Sequence, residues 1–421
     1  MLDKDQNELL ARTGPGTSMG ATMRRYWLPA LLTWELPEAD CPPVSLKLLG
    51  EKLVAFRDSG GQVGIVDEVC PHRGASLWLG RNEEYGLRCV YHGWKFDING
   101  NCTAMMNEPE NLSFAQKVHL KSYPALESGG IIWTYMGPPD LQPEPPAFEF
   151  TRVPETHRHV SKVSEECNWL QAMEGGIDTS HAPILHRKLR NDVQRGGISP
   201  TSPFVRGRAP ILEVDTTDYG YRYFGVRPLD EGGVFVRGYH FVLPFTQMRP
   251  GEQRINGEVI PGHFWVPIDD HNTMVWNWEY STGDPLTVED REQRTDGNGP
   301  EDVDYLDAFR SRRNMRNKWL IDRNVQKYET FTGIEGINTQ DRAVQESMGP
   351  IVDRSKEHLG PADRAIIAAR KLLLEAVRTV QDGGEPYGVR ATYAHARAAQ
   401  EIVPDSGDWR QSLIPKMYGE K

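Results

Sequence analysis

The sequence predicts an α+β chain in two unequal parts, a small antiparallel β domain followed by a larger domain of mixed strands and helices. Three observations predict it. Between Trp27 and Gly137, turn residues cut the chain into short β-rich runs. Pro138-Pro-Asp-Leu-Gln-Pro-Glu-Pro-Pro146 then places five prolines in nine residues, which neither a helix nor a sheet tolerates, so 138–149 reads as a linker. Beyond it, strand patterns mix with helical ones. A length of 421 residues leaves room for two domains.

Taken in order, 1–25 reads as a short helical lead-in. The β domain, 26–137, holds the runs Ser45–Gly50, Glu51–Arg57, Gly64–Asp67 and Gly130–Tyr135, with turns at Asp58-Ser-Gly-Gly61 and Asp97-Ile-Asn-Gly100. Trp94-Lys-Phe-Asp97 runs into Asn99-Gly100, a hairpin signal. In 150–421 a helix is expected around Asn168–Ile177. Strands are expected at Tyr221–Val226, Val234–Leu243, His263–Val266 and Thr273–Tyr280. Gly283–Asp304 reads as an exposed acidic loop, and 303–320 and 361–380 as helices, the second with a 3.6-period apolar face over Ala365–Val377.

A net charge of −11 argues against nucleic acid as a partner, because phosphate binding needs basic surface. No apolar run reaches the ~18 residues of a membrane span, and the charged start Met1–Glu8 is not a secretory signal. Five cysteines, two of them used below, leave Cys41, Cys102 and Cys167 without paired spacing. That usage suits a reducing cytoplasm.

Cys70-Pro-His72, sixteen residues, then Cys89-Val-Tyr-His92 is the decisive motif. Zinc sites usually pair Cys with Cys and His with His, whereas here each cluster mixes the two types. That ligand order is what a Rieske [2Fe–2S] centre needs: Cys70 and Cys89 on one iron, His72 and His92 on the other. Trp94 and Trp78 flank the loops as packing residues.

A second constellation follows at Asp178-Thr-Ser-His181-Ala-Pro-Ile-Leu-His186. Both imidazoles can face one ion if Pro183 interrupts the helix between them, and two histidines with one carboxylate leave coordination positions open. The bland alternative is a capping His181 and a surface His186. Asp178 is too near in sequence to be the obvious third ligand and suits a hydrogen bond to a ligand imidazole. Spacing does not choose the third ligand among Asp341, Asp353 and Asp363.

With these motifs the chain resembles the α subunits of Rieske non-haem iron aromatic ring-hydroxylating oxygenases, in particular the phthalate dioxygenase and phenoxybenzoate dioxygenase group. The matching segments are Cys70-Pro-His-Arg-Gly, Cys89-Val-Tyr-His-Gly-Trp, Asn168-Trp through His186, and Thr339-Gln-Asp341-Arg. The resemblance implies a catalytic domain of the helix-grip type, in which a curved antiparallel sheet and helices enclose a mononuclear Fe(II). It implies Asp341 as the third iron ligand and Asp178 as a carboxylate bridging to the Rieske histidine of a neighbouring subunit in a homotrimer or hexamer. It also implies insertion of O2 into an aromatic carboxylate, phthalate- or phenoxybenzoate-like. Electrons would come from NADH through a separate reductase with a flavin and a plant-type ferredoxin domain. The chain's lack of a Gly-x-Gly-x-x-Gly nucleotide motif fits that need. A monooxygenase removing O- or N-alkyl groups would use the same ligands.

For the substrate, Phe235, Arg237, Tyr239 and Phe241 share one face of a strand at period two. Arg237 therefore either meets an anionic substrate or forms an internal salt bridge, and Arg208 either joins it or lies on the surface with Arg206. His240 and His263, also in strands, read as core or pocket residues.

Overall fold

The computed structural model describes residues 2–109, 112–293 and 295–419. Alternation along the N-terminal strands builds two cores at once. In Glu51–Arg57, Leu53 and Ala55 enter one apolar cluster and Val54 and Phe56 another, because successive strand side chains take opposite faces. The second cluster, with Leu77, Leu87, Trp94 and Phe96, also holds Cys70 and Cys89. The first continues through Trp133 and Phe148 to Phe264 and Trp278 of the larger domain.

Three antiparallel sheets form this N-terminal part. One pairs Val44–Leu48, Glu51–Arg57, Val63–Asp67 and Ser122–Tyr123, and a second Arg81–Glu83, Gly86–Arg88, Trp94–Phe96 and Cys102–Met105. The third sets Ile131–Tyr135 between Trp27–Leu32 and Ala125–Ser128. The lead-in is two helices, Lys4–Ala11 and Ser18–Met23, capped by Asp3 and Thr17. The proline-rich segment is packed down instead of hanging free. Trp27 Nε1 donates to the Pro143 carbonyl at 3.0 Å, and Phe148 sits 5.4 Å from the Phe264 ring.

The larger domain is built on an eleven-stranded sheet. Its strands run Ile211–Thr216, Gly220–Pro228, Val234–Val242, Thr246–Met248, Glu258–Asp269, Asn272–Ser281, Arg158–Glu165, Arg310–Ser311 and Val303–Asp304, with Glu252–Gln253 and Ala399–Val403 attached at the side. All pairings are antiparallel except that of Arg158–Glu165 with Arg310–Ser311. The helix Arg364–Gln381 buries Ala365, Ala369, Leu373, Ala376 and Val377 as one stripe and lies against Ile211–Thr216. The helix Trp169–Ile177 is held from behind by ion pairs of Glu174 with Arg354 at 3.0 Å and Arg370 at 2.6 Å. Among the described residues no helix is long and apolar enough to cross a membrane.

Two expectations fail. Residues 303–320 are not helical but form two short strands and a 3₁₀ turn, Met315–Leu320. Positive φ at Ala308, Phe309, Lys318, Trp319 and Leu320 rules out a continuous helix. The charges find distant partners, Arg310 with Glu166 and Arg313 with Asp302. Within Gly283–Asp304, Val288–Glu292 is helical, and Gln293 and Asn298 are buried where exposure was expected. Arg294 lies outside the described residues.

A buried ion pair joins the two parts. Glu35, just after the first strand, meets Lys162 of the large sheet, with side chains 8% and 3% exposed. The Lys162 ammonium also sits 4.2 Å from the Phe309 ring centre. Glu35→Leu leaves that ammonium buried and unpaired, which costs about 3–5 kcal/mol. A clear drop in the urea unfolding midpoint is expected, largely recovered in Glu35→Leu/Lys162→Met.

Candidate metal centres and active-site cavity

The Cys70 and Cys89 loops share one construction. Cys70 N–H donates to the Ala75 carbonyl and Gly74 N–H to that of Cys70; Cys89 N–H donates to the Trp94 carbonyl and Gly93 N–H to that of Cys89. Gly93 is required, with φ +73 and a position where a Cβ would fall 2.5 Å from Met106 Sδ. The His72 and His92 rings lie 4.5 Å apart, and Trp94 stacks on His72 at 4.3 Å while donating to Asn107 Oδ1. Cys70 and Cys89 are 1% and 2% exposed, and burial pushes the Cys70 thiol up to about 11. His92 Nδ1 is buried with no hydrogen bond. An orphaned imidazole nitrogen beside two buried thiols is costly as it stands. Iron ligation would relieve both costs, so the four residues fit a Rieske cluster.

The second constellation also closes in space. The helix Trp169–Ile177 begins at Asn168, whose Oδ1 accepts from Leu170 N–H. Its last turn lies flat against the sheet, since a Cβ at Gly176 would fall 2.0 Å from Trp265. Asp178 caps the end: Oδ1 accepts from the Ser180 N–H and hydroxyl, and Oδ2 lies 3.2 Å from both His181 N and His181 Nδ1. A four-residue helix with Pro183 in its first turn separates His181 from His186. His186 Nδ1 donates to Gln340 Oε1 at 2.9 Å, which turns its Nε2 toward the next residue, Asp341.

Asp341, on the helix Ile337–Ser347, places Oδ1 3.2 Å from both His181 Nε2 and His186 Nε2. The three ligand atoms lie within 4.8 Å of one another and could hold one metal ion. Burial would raise the Asp341 carboxyl, but the two imidazoles outweigh it and hold it well below the usual range. Burial lowers His181, yet hydrogen bonds with Asp178 and Asp341 lift it to about 10. The trio thus demands a positive charge at its centre, which a divalent ion supplies. Asp353 instead caps a 3₁₀ turn near the surface, and Asp363 precedes the helix Arg364–Gln381.

All three residues open onto a cavity of about 980 Å³ that also receives Asp178, Arg237 and Tyr239. Arg237 donates from Nη2 to the Pro250 carbonyl at 2.8 Å and lies 4.4 Å from the Phe204 ring centre, while its Nε is buried and unpartnered. No carboxylate among the described residues pairs with it. Arg208 is elsewhere, 70% exposed and 3.1 Å from Asp230. Arg206 likewise pairs with Glu231 on the surface. Charge alone could not separate these arginines; strand context could, since Arg237 lies within a strand and Arg208 before one.

Sequence reasoning missed Arg249, which lines the cavity with no ion pair among the described residues, and Arg227, fully buried, held by Thr179 and 4.3 Å from the Phe204 ring centre. The available signal was the period-two placement of Gln247 and Arg249. Glu174 is structural, and His240 is satisfied by the Tyr219 hydroxyl and backbone carbonyls.

Residues 26–124 match the Rieske [2Fe-2S] domain and residues 134–420 the family described as LigXa C-terminal domain like. The phthalate 4,5-dioxygenase oxygenase subunit of Pseudomonas putida is 40% identical, over 97% of this chain and 94% of its own length. The 3-chlorobenzoate-3,4-dioxygenase oxygenase subunit of Comamonas testosteroni is 38% identical over 99% of both chains. Among solved structures, Pseudomonas putida CBB5 NdmA aligns with a TM-score of 0.61 at 20% identity, covering 93% of this chain and all of that one. The chain belongs to the Rieske non-haem iron oxygenases, whose cofactors are a Rieske [2Fe–2S] cluster and a mononuclear iron. Within that family its kinship is with the oxygenase subunits of aromatic-ring dioxygenases.

His186→Ala is expected to cost one iron per chain by elemental analysis while the visible spectrum of the [2Fe–2S] cluster persists. Cys89→Ala is expected to remove that spectrum.

Proposed function

We propose that this chain inserts oxygen into the ring of an aromatic carboxylate, phthalate- or phenoxybenzoate-like. It acts as the α subunit of a cytoplasmic homo-oligomer, a trimer or hexamer, reduced by a separate NADH-dependent reductase. The observation that carries the reading is the position of Arg237 and Arg249, neither within ion-pair distance of a carboxylate among the described residues, in the cavity that receives His181, His186 and Asp341. A guanidinium held against Phe204 and Tyr239 without an anion is costly. A substrate carboxylate supplies both the missing charge and a bidentate partner. The relatives named for phthalate and 3-chlorobenzoate support the same class.

When bound, the cluster held by Cys70, His72, Cys89 and His92 supplies stored electrons, and the iron held by His181, His186 and Asp341 supplies a site for O2. The chain's own residues do the rest. Arg237 and Arg249 anchor the carboxylate, while Phe235, Tyr239 and Trp265 surround the ring and exclude water. Asp178 accepts from His181 Nδ1 and fixes the direction of that imidazole. Within the described residues its other partner is Ser180. We assign the further position on this carboxylate to His92 of a neighbouring copy. The lack of a nucleotide motif supports a separate reductase, and Cys41, Cys102 and Cys167, buried and unpaired outside the cluster, support the cytoplasm.

Arg237→Ala is expected to raise KM for phthalate about tenfold or more with a smaller change in kcat, the signature of a lost charged hydrogen bond. An unchanged KM would remove the clamp. Asp178→Asn is expected to retain both metals while slowing single-turnover reoxidation of the reduced cluster. Label from ¹⁸O2 is expected in two product oxygens; one labelled oxygen would favour the monooxygenase reading.

A further inference from the structure

Four neighbouring strands carry polar side chains in one buried row where a sheet interior ordinarily carries aliphatic ones. Gln247 lies opposite His263, His263 opposite Asn277, and Asn277 opposite Ser161. Arg249 Nε donates to His263 Nε2 at 3.3 Å, and His263 Nδ1 donates to Asn277 Oδ1 at 3.0 Å. Asn277 Nδ2 then donates to Ser161 Oγ at 3.3 Å, and that hydroxyl donates to Gln293 Oε1 at 2.7 Å.

The chain has one sense. A guanidinium offers only donors, so His263 Nε2 must accept, and the ring proton must sit on Nδ1. Asn277 can therefore present only its oxygen to the imidazole, and its amide group is left for Ser161. Burial holds the imidazole neutral, its pKa pulled down to about 3, so it does not repel the guanidinium. The row ends at Arg249, whose Nη groups make no hydrogen bond among the described residues and which lines the cavity.

We propose that His263, locked as the Nδ1–H tautomer by Asn277, is the positioning residue that sets Arg249 as a carboxylate receptor in the active-site cavity. The inference rests on the carboxylate reading of that cavity and deepens it. An arginine side chain loses several rotamers on binding a ligand, and fixing its Nε edge beforehand removes part of that cost. It also aims the remaining edge for bidentate pairing, which a neutral ligand cannot use.

Calorimetric titration of the purified holoenzyme with benzoate and with benzamide separates a positioning role from a structural one. The wild type is expected to prefer benzoate. His263→Leu is expected to weaken benzoate about tenfold and benzamide less than about twofold, because only the charged ligand uses the guanidinium. His263→Gln, which offers an acceptor to Arg249 and a donor to Asn277, is expected to restore most of the preference. In an Arg249→Met background His263→Leu is expected to add nothing. Should His263→Leu fail to fold, Asn277→Leu is expected to give the same carboxylate-selective loss.

Equal losses for both probes, or additive effects in the double variant, would overturn the proposal. If Arg249→Met abolishes the preference while His263→Leu and Asn277→Leu leave it intact, this inference alone fails. If Arg249→Met keeps the preference, Arg237 alone receives the carboxylate and this inference fails; if the wild type shows no preference, the carboxylate reading fails as well.

Discussion

The Asp341 carboxylate oxygen lies 3.2 Å from an imidazole on either side, and much of the larger domain is arranged to keep it there. His186 and Gln340, the residue beside Asp341, are 154 positions apart in sequence. Joining them requires two helices to be fixed against each other without slack. Gln171 donates to the carbonyls of Gln345 and Gly349, and Arg342 pins the partner helix to Gly297 and Asn298. Glu174, clamped by Arg354 and Arg370, prevents Trp169–Ile177 from rotating. Such polar clamps contribute little net stability in water, but in a buried helix contact each leaves an unsatisfied group if the register slips.

The cavity wall has the opposite character. Arg237 in that wall and the fully buried Arg227 both lie against Phe204, and among the described residues neither has a carboxylate within ion-pair distance. Burial lowers Arg227 to about 10 and pulls Arg237 down as well, with Arg249 adding to the second effect. A folded chain that leaves guanidinium groups uncompensated gives up stability for function. The same cavity also carries Glu279 and Asp296, buried carboxyls that feel the charge of Arg249, so Arg237 is the wall cation with least compensation.

Local features were legible in the sequence. Cys70 to His92 needs only two short loops on a hairpin scaffold, so residue order alone declares the donor set. The helix Arg364–Gln381 follows from its 3.6-residue apolar period, and the helix expected around Asn168–Ile177 forms with the Asn168 side chain as its cap. The pairing of Asp341 with His181 and His186 is a long-range event, and spacing could not distinguish it from Asp353 or Asp363; the family motif did. The helix expected over 303–320 failed because tertiary partners, Phe309 beneath Lys162 and Arg310 on Glu166, override a helical composition. Charge alone makes Arg208 and Arg237 alike; the strand around Arg237 hints at enclosure, and the fold shows one cation facing solvent and the other enclosed.

Heredity and mechanics divide this chain at different places. The matched segments end at 124 and resume at 134, yet Ile131–Tyr135 is the middle strand of a sheet whose outer strand is Trp27–Leu32, and its Trp133 packs 5.5 Å from Phe264. A chimera that imports a foreign residue 26–124 module would carry one side of that seam without the strand and aromatics that evolved to meet it. Recombination within the family should therefore succeed only when residues 125–150 travel with the N-terminal module, together with their aromatic counterparts in the host sheet.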